Sequence, residues 1–256
     1  MGVKDLFDLT GKVALITGGS RGLGLQIAKG LAEMGARIAI SARKSHELEA
    51  ARSELSALGH EALTVTNDLT KDGQVAALVD AVAARYGSLD ILVNNAGTSW
   101  GAPAEQFPLE AWHKVMDLNA TAVFALSQAV ANRFFIPRRN GVIIVISSTA
   151  AFRAGMAMKA AAYFSSKAAA LHLTRVLAAE WGPYNIRVNA LCPGFFPSKM
   201  ASGLLETIGA QVIENTPLGR LGGDTDLQGA AVYLASEASR HVTGQYIAVD
   251  GGASIV

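Results

Sequence analysis

The chain has 256 residues, of which 50% are hydrophobic and 17% charged, with a net charge of +1. That balance suits one sizeable apolar core; it excludes a disordered chain and a basic surface built for nucleic acid or anionic membrane. A single cysteine, Cys192, excludes an internal disulfide and suits a reducing cytosol, and its apolar run from Val188 reads as packing. No stretch approaches the ~18–20 apolar residues of a membrane span, and Met1-Gly2-Val3-Lys4-Asp5 carries no targeting pattern, so a cytoplasmic protein is expected. His46, His60, His113, His172 and His241 are scattered without metal-ligand spacing, so no metal site is expected.

Along the chain, short β-like runs alternate with helical patterns, as in βαβ units around a parallel sheet. Strands are expected at Val13–Thr17, Arg37–Ser41, Ala62–Val65, Ile91–Asn94, Val142–Ser147, Arg187–Leu191 and Tyr246–Val249. Helices are expected at Gly22–Met34, Ser45–Leu58, Asp72–Tyr86, Leu109–Phe135, Ala160–Trp181 and Asp224–Leu234. The fold class is α/β: a single Rossmann domain over residues 1–256, doubly wound, with about seven parallel strands and helices on both faces. Loops around 98–108, 149–159 and 194–215 are the candidates to shape a substrate pocket.

The first expected strand runs into Thr17-Gly18-Gly19-Ser20-Arg21-Gly22-Leu23-Gly24, followed by the helical spacing of Leu23, Ile27 and Leu31. Strand, glycine-rich turn and helix in that order form the context of a dinucleotide site, where pyrophosphate charge meets a helix N-terminus. The spacing is G-x-x-x-G-x-G rather than the commoner G-x-G-x-x-G. Taken alone, such a turn is a weak signal.

A second motif carries independent chemistry. After Ser147-Ser148 comes a loop and then Tyr163-Phe164-Ser165-Ser166-Lys167. A tyrosine with its ordinary pKa near 10 is a poor acid or base at neutral pH, and a shift of ~2–3 units requires roughly 3–4 kcal/mol of phenolate stabilisation. Burial pushes the other way, so a nearby cation is needed. On a helix, Lys167 shares a face with Tyr163. Ser148, at a strand end, could hydrogen-bond a substrate oxygen beside the phenol. The bland reading of Tyr-x-x-x-Lys is an amphipathic helix with a snorkelling lysine; the glycine turn far upstream argues against it.

With both motifs in view, the chain resembles the short-chain dehydrogenase/reductase family from about Leu9 to Gly252. Further matches are Asn94-Asn95-Ala96-Gly97, Asn119 in Leu118-Asn119-Ala120, Pro193-Gly194, and Thr243-Gly244-Gln245 with Val249-Asp250-Gly251-Gly252. The resemblance implies Asn119, Ser148, Tyr163 and Lys167 as the catalytic set, with Asn119 holding a water that links Lys167 to solvent. It implies cofactor contacts from Gly18, Ser20, Arg21, Gly22, Leu23, Gly24, Arg43, Asp68, Leu69, Asn95, Ala96, Gly97, Tyr163, Lys167, Pro193 and Gly194. It also implies a homotetramer joined through the helices Leu109–Phe135 and Ala160–Trp181. The interval from Ser148 to Tyr163 is longer than in many relatives, which bears on substrate shape.

Where an NAD-preferring member would carry an acid for the ribose hydroxyls stands Ala42, followed by Arg43, and a second cation, Arg21, stands in the glycine turn. A guanidinium can grip a 2′-phosphate bidentately, so NADP(H) is favoured over NAD(H). Trp100, Phe152, Phe195 and Phe196 are the candidate substrate contacts, with Met156, Met158 and Met200 nearby. They outnumber Arg153, Lys159 and Lys199, so reduction of an apolar ketone of the 3-oxoacyl type is expected. Within the family, residues 95–101 and 193–200 resemble two subgroups, 3-oxoacyl reductases of the rhamnolipid-pathway type and gluconate 5-dehydrogenases. A gluconate 5-dehydrogenase-like activity is therefore the second reading, and a non-catalytic NADP(H)-binding redox sensor represents another class. Both Tyr163 and Lys167 are present, which favours turnover.

Overall fold

The computed structural model describes residues 2–154, 158–199 and 202–256. Seven strands form one sheet in the order β3-β2-β1-β4-β5-β6-β7, every neighbouring pair parallel. They are β1 (Val13–Thr17), β2 (Arg37–Ala42), β3 (Ala62–Thr66), β4 (Ile91–Asn94), β5 (Gly141–Ile146), β6 (Ile186–Pro193) and β7 (Tyr246–Val249). The central strands β1, β4 and β5 are buried along their whole length. That explains their continuous apolar runs, since a sheet covered on both faces has no polar side.

Side chains alternate between two cores. Ala14, Ile16, Ile38, Ile40 and Ile144 face α1 (Gly22–Glu33) and α2 (Ser45–Ala57). Val13, Leu15, Ala39, Ile143 and Val145 face α3 (Gln74–Tyr86) and the helices that follow. Between β4 and β5 the chain forms α4 (Leu109–Met116), a π-turn at Asp117–Thr121, α5 (Ala122–Val130), a second π-turn at Ala131–Phe135 and the short α6 (Ile136–Arg138). The single helix expected at Leu109–Phe135 is therefore interrupted twice. Asn119 sits in the first interruption, where an asparagine poorly suited to a regular helix is tolerated. Downstream lie α7 (Ala161–Trp181), α8 (Ser202–Glu214) and α9 (Gln228–Ala235).

Several boundaries shift, and two of the shifts have a clear cause. Strand β6 runs to Pro193 because Pro193 pairs with Val249 of β7. The last helix begins at Gln228 rather than Asp224, because Asp226 is drawn into a turn by Arg220 and the Gly223 N–H. Residues 202–214, expected within a loop, form α8. Gly203 and Gly209 weaken its local helix signal, and Leu205, Ile208 and Val212 still keep the spacing of one apolar face. Strand order reverses between β1 and β4, and the cleft described next opens there, at the C-terminal strand ends.

Candidate active site

The cleft encloses about 1420 Å³. One end is walled by the glycine turn between β1 and α1. Gly22 holds a left-handed φ of +52° and faces the cleft, so a side chain there would be strained. A Cβ on Gly24 would come within 2.5 Å of the Gly18 carbonyl and of the Asn95 amide, so only glycine lets the helix start this close to β4. Asn95 clamps the turn, donating from Nδ2 to the Thr17 and Gly18 carbonyls at 2.8 and 3.1 Å. Helix α1 begins without a side-chain cap, and its first residues line the cleft, leaving first-turn N–H donors for an anion.

Gly18, Ser20, Arg21, Gly22, Leu23 and Gly24 all border this end, as do Arg43, Asp68 and Leu69 after β2 and β3. Asn95, Ala96 and Gly97 continue the lining beyond β4, and Pro193 and Gly194 beyond β6. Asp68 is partly buried, which pushes its carboxyl up. The Thr70 hydroxyl and N–H, with Arg43 and Lys71 close by, outweigh that and hold it below the usual carboxylate value. Ala42, at the end of β2, lines the cleft and offers no carboxylate there.

At the other end stand Ser148, Tyr163 and Lys167. Tyr163 and Lys167 lie one turn apart on α7, with the ammonium 5.7 Å from the ring centroid. Lys167 is only 6% exposed and donates from Nζ to the Ile146 carbonyl at 2.8 Å. The Ser147 hydroxyl donates to the Lys167 carbonyl at 2.8 Å, pinning α7 to the end of β5. Ser148 Oγ accepts from the Ala150 N–H at 3.1 Å, which fixes the oxygen and frees the hydroxyl proton to point elsewhere.

The electrostatics depart from expectation. Burial pushes the Tyr163 phenol above its ordinary value, and a hydrogen bond from Ser148 pulls the other way without reversing it. Burial likewise pushes Lys167 down to about 8. The cation needed to lower the phenol is thus itself poorly solvated, and desolvation of both groups dominates. Cys192 lies beneath them; burial pushes its thiol up to about 11, in keeping with a packing role.

Asn119 is 1% exposed and lies behind the lining. Its Nδ2 donates to the Thr98 carbonyl and to Ser166 Oγ, both at 2.9 Å, and its Oδ1 accepts from the Thr98 N–H at 2.8 Å. The side chain therefore braces the loop after Gly97 against α7, next to Lys167.

The expected substrate ring divides. Phe195 and Phe196 line the cleft, as does Met158. Phe196 is 5% exposed and belongs to the core, so it forms floor rather than contact edge. Trp100 turns away: it is 44% exposed, with the Lys114 ammonium 5.7 Å from its ring centroid. Phe152 stacks on Tyr246 at 5.3 Å between centroids. Both leave the cleft because an aromatic or cationic partner lies on their outer side, a contact no loop sequence announces. Met156 and Met200 lie outside the described residues. Sequence reasoning missed Gln211 on α8 and Asn215 just after it, which line the cleft, and Glu47, which α2 brings beside Arg21. The first two could have been found from their helical spacing with Ile208 and Val212; nothing local marks Glu47.

The family model described as enoyl-(acyl carrier protein) reductase matches residues 18–254. The chain belongs to the short-chain dehydrogenase/reductase family. This dehydrogenase/reductase is 41% identical over 253 residues to a gluconate 5-dehydrogenase of Gluconobacter oxydans, covering 98% of each chain. It is 40% identical to the rhamnolipids biosynthesis 3-oxoacyl-[acyl-carrier-protein] reductase of Pseudomonas aeruginosa, over 96% of this chain and 97% of the relative. A solved gluconate 5-dehydrogenase from Burkholderia cenocepacia, in complex with NADP and tartrate, superposes with a TM-score of 0.93 at 38% identity over 100% of both chains. The fold is thus shared with dehydrogenases and reductases acting on CH–OH groups. Among the described residues no helix is long and apolar enough to cross a membrane, and no cluster of side chains could hold a metal ion.

Proposed function

We propose that the protein is an NADP(H)-dependent oxidoreductase that interconverts a ketone and a secondary alcohol. The observation that carries this reading is the placement of Tyr163 and Lys167, one turn apart and facing Ser148, in the same cleft as the uncapped start of α1. The glycine turn offers backbone donors for a pyrophosphate, Ala42 offers no acid to ribose hydroxyls, and Arg21 and Arg43 border the same end. These residues fit NADP(H). When bound, its nicotinamide supplies or takes a hydride at the carbonyl carbon.

The chain's own residues handle the proton. Tyr163 gives its phenolic proton to the substrate oxygen as negative charge builds there, and Ser148 donates a hydrogen bond to the same oxygen. Lys167 places positive charge one helical turn from the forming phenolate. Its two donors not given to Ile146 remain for a ribose hydroxyl and a water. Both amide donors of Asn119 are taken by Thr98 and Ser166, so its Nδ2 cannot be what holds the water that links Lys167 to solvent.

For substrate, the apolar strip of Met158, Phe195, Ile208 and Val212 favours a 3-oxoacyl-type ketone. A polyhydroxy keto acid is the second reading, favoured by Gln211, Asn215, Arg153 and Lys159, which line the same cleft. The test follows reduced-cofactor absorbance with NADPH or NADH, offering acetoacetyl thioesters and 5-ketogluconate in parallel. The expected result is NADPH oxidation with higher kcat/KM on the thioester. Preference for the keto acid replaces the first substrate reading with the second. Cofactor binding without turnover on a broad ketone panel would refute catalysis and favour the redox sensor.

A further inference from the structure

Around the mouth of the cleft, three cations from three separate segments converge on one carboxylate oxygen. Glu47 Oε1 lies 3.5 Å from Arg21 in the glycine turn, 3.4 Å from Lys44 after β2, and 3.9 Å from Lys199 before α8. All four residues line the cleft beside Ala42 and Arg43. The Glu47 side chain is 19% exposed, whereas those of Arg21, Lys44 and Lys199 are 50%, 51% and 66% exposed. Burial pushes the Glu47 carboxyl up, but the three cations outweigh it and hold it below the ordinary value, so it is an anion at neutral pH.

We propose that Glu47 is a built-in competitor of the cofactor's 2′-phosphate, holding cations that the phosphate would otherwise meet and thereby setting the degree of NADP(H) preference. The inference rests on the NADP(H) reading above. Each contact to Glu47 is a single one, so Arg21 is not gripped in a bidentate pair, and exposed pairs of this kind are weak. A phosphate dianion can therefore take these cations over. Three cations and one carboxylate leave two positive charges, the complement of that dianion. Glu47 keeps its own charge close by and repels the newcomer.

A helix-stabilising role is the competing account, because Glu47 is an acid in the first turn of α2. It moves stability and leaves cofactor discrimination alone. The two are separated by isothermal titration calorimetry of the full chain with NADP+ and with NAD+, for the wild type, Glu47→Gln and Glu47→Ala, alongside thermal melts. Removing the unit charge at Glu47 should tighten NADP+ binding roughly fivefold in both variants, with NAD+ affinity unmoved. Unchanged or weaker NADP+ binding, or equal tightening of both cofactors, overturns the proposal, even where melting falls. The wild-type ratio reads the other question. If the wild type binds NAD+ more tightly, the NADP(H) reading fails, while the change in ratio on substitution still judges Glu47.

Discussion

Lys167 and Lys199 both border the cleft, yet they belong to differently built walls. Lys167 is 6% exposed, on a long helix, its ammonium on the Ile146 carbonyl and its own carbonyl held by Ser147. Lys199 has a side chain 66% exposed and meets Glu47 at 3.9 Å. The floor made by β5 and α7 is cross-linked through buried hydrogen bonds, with Asn119 bracing it from behind. The rim around Lys199 and Gln211 carries exposed side chains. Proton transfer needs fixed geometry, whereas admitting and selecting ligands tolerates a softer wall.

The largest expected effect comes from the floor. Tyr163→Phe keeps the ring and removes the proton, so kcat should fall ~10²–10⁴-fold while NADPH affinity holds. Near wild-type kcat would remove Tyr163 from the chemistry. Next comes a test of how deeply the floor is buried, read as stability against pH. Lys167 falls from 10.5 to about 8 on folding, so the folded chain holds fewer protons there than the unfolded one between those values. Stability is therefore gained as pH rises through that window, by up to about 3 kcal/mol, and the burial cost is fully present below it. Lys167→Met lacks the titration, so its stability relative to wild type should be greatest near pH 7 and decline towards pH 10. Denaturant curves that stay parallel across that range would mean Lys167 is better solvated than its 6% exposure implies. The smallest effect belongs to the rim. Gln211→Leu should lower kcat/KM for a keto-sugar acid by about fivefold, the size of one exposed hydrogen bond, and spare a 3-oxoacyl thioester. Equal losses on both would show that α8 acts on the cleft as a whole rather than on substrate choice.

What the sequence alone determined was the frame. Alternating apolar runs and helical patterns specified seven strands and the doubly wound class, because strand burial and helix faces are written in local periodicity. The glycine turn, Ser148 and the Tyr163–Lys167 pair were legible for the same reason: each needs a fixed spacing inside one element or at its end. The tertiary structure decided which side chains meet across elements. It sent Trp100 to Lys114 and Phe152 to Tyr246, brought Gln211 of α8 and Asn215 just after it to the cleft, and gathered Arg21, Lys44 and Lys199 around Glu47. It also reversed the expected direction for the Tyr163 phenol, because desolvation depends on everything packed around a group and not on the residue four places along.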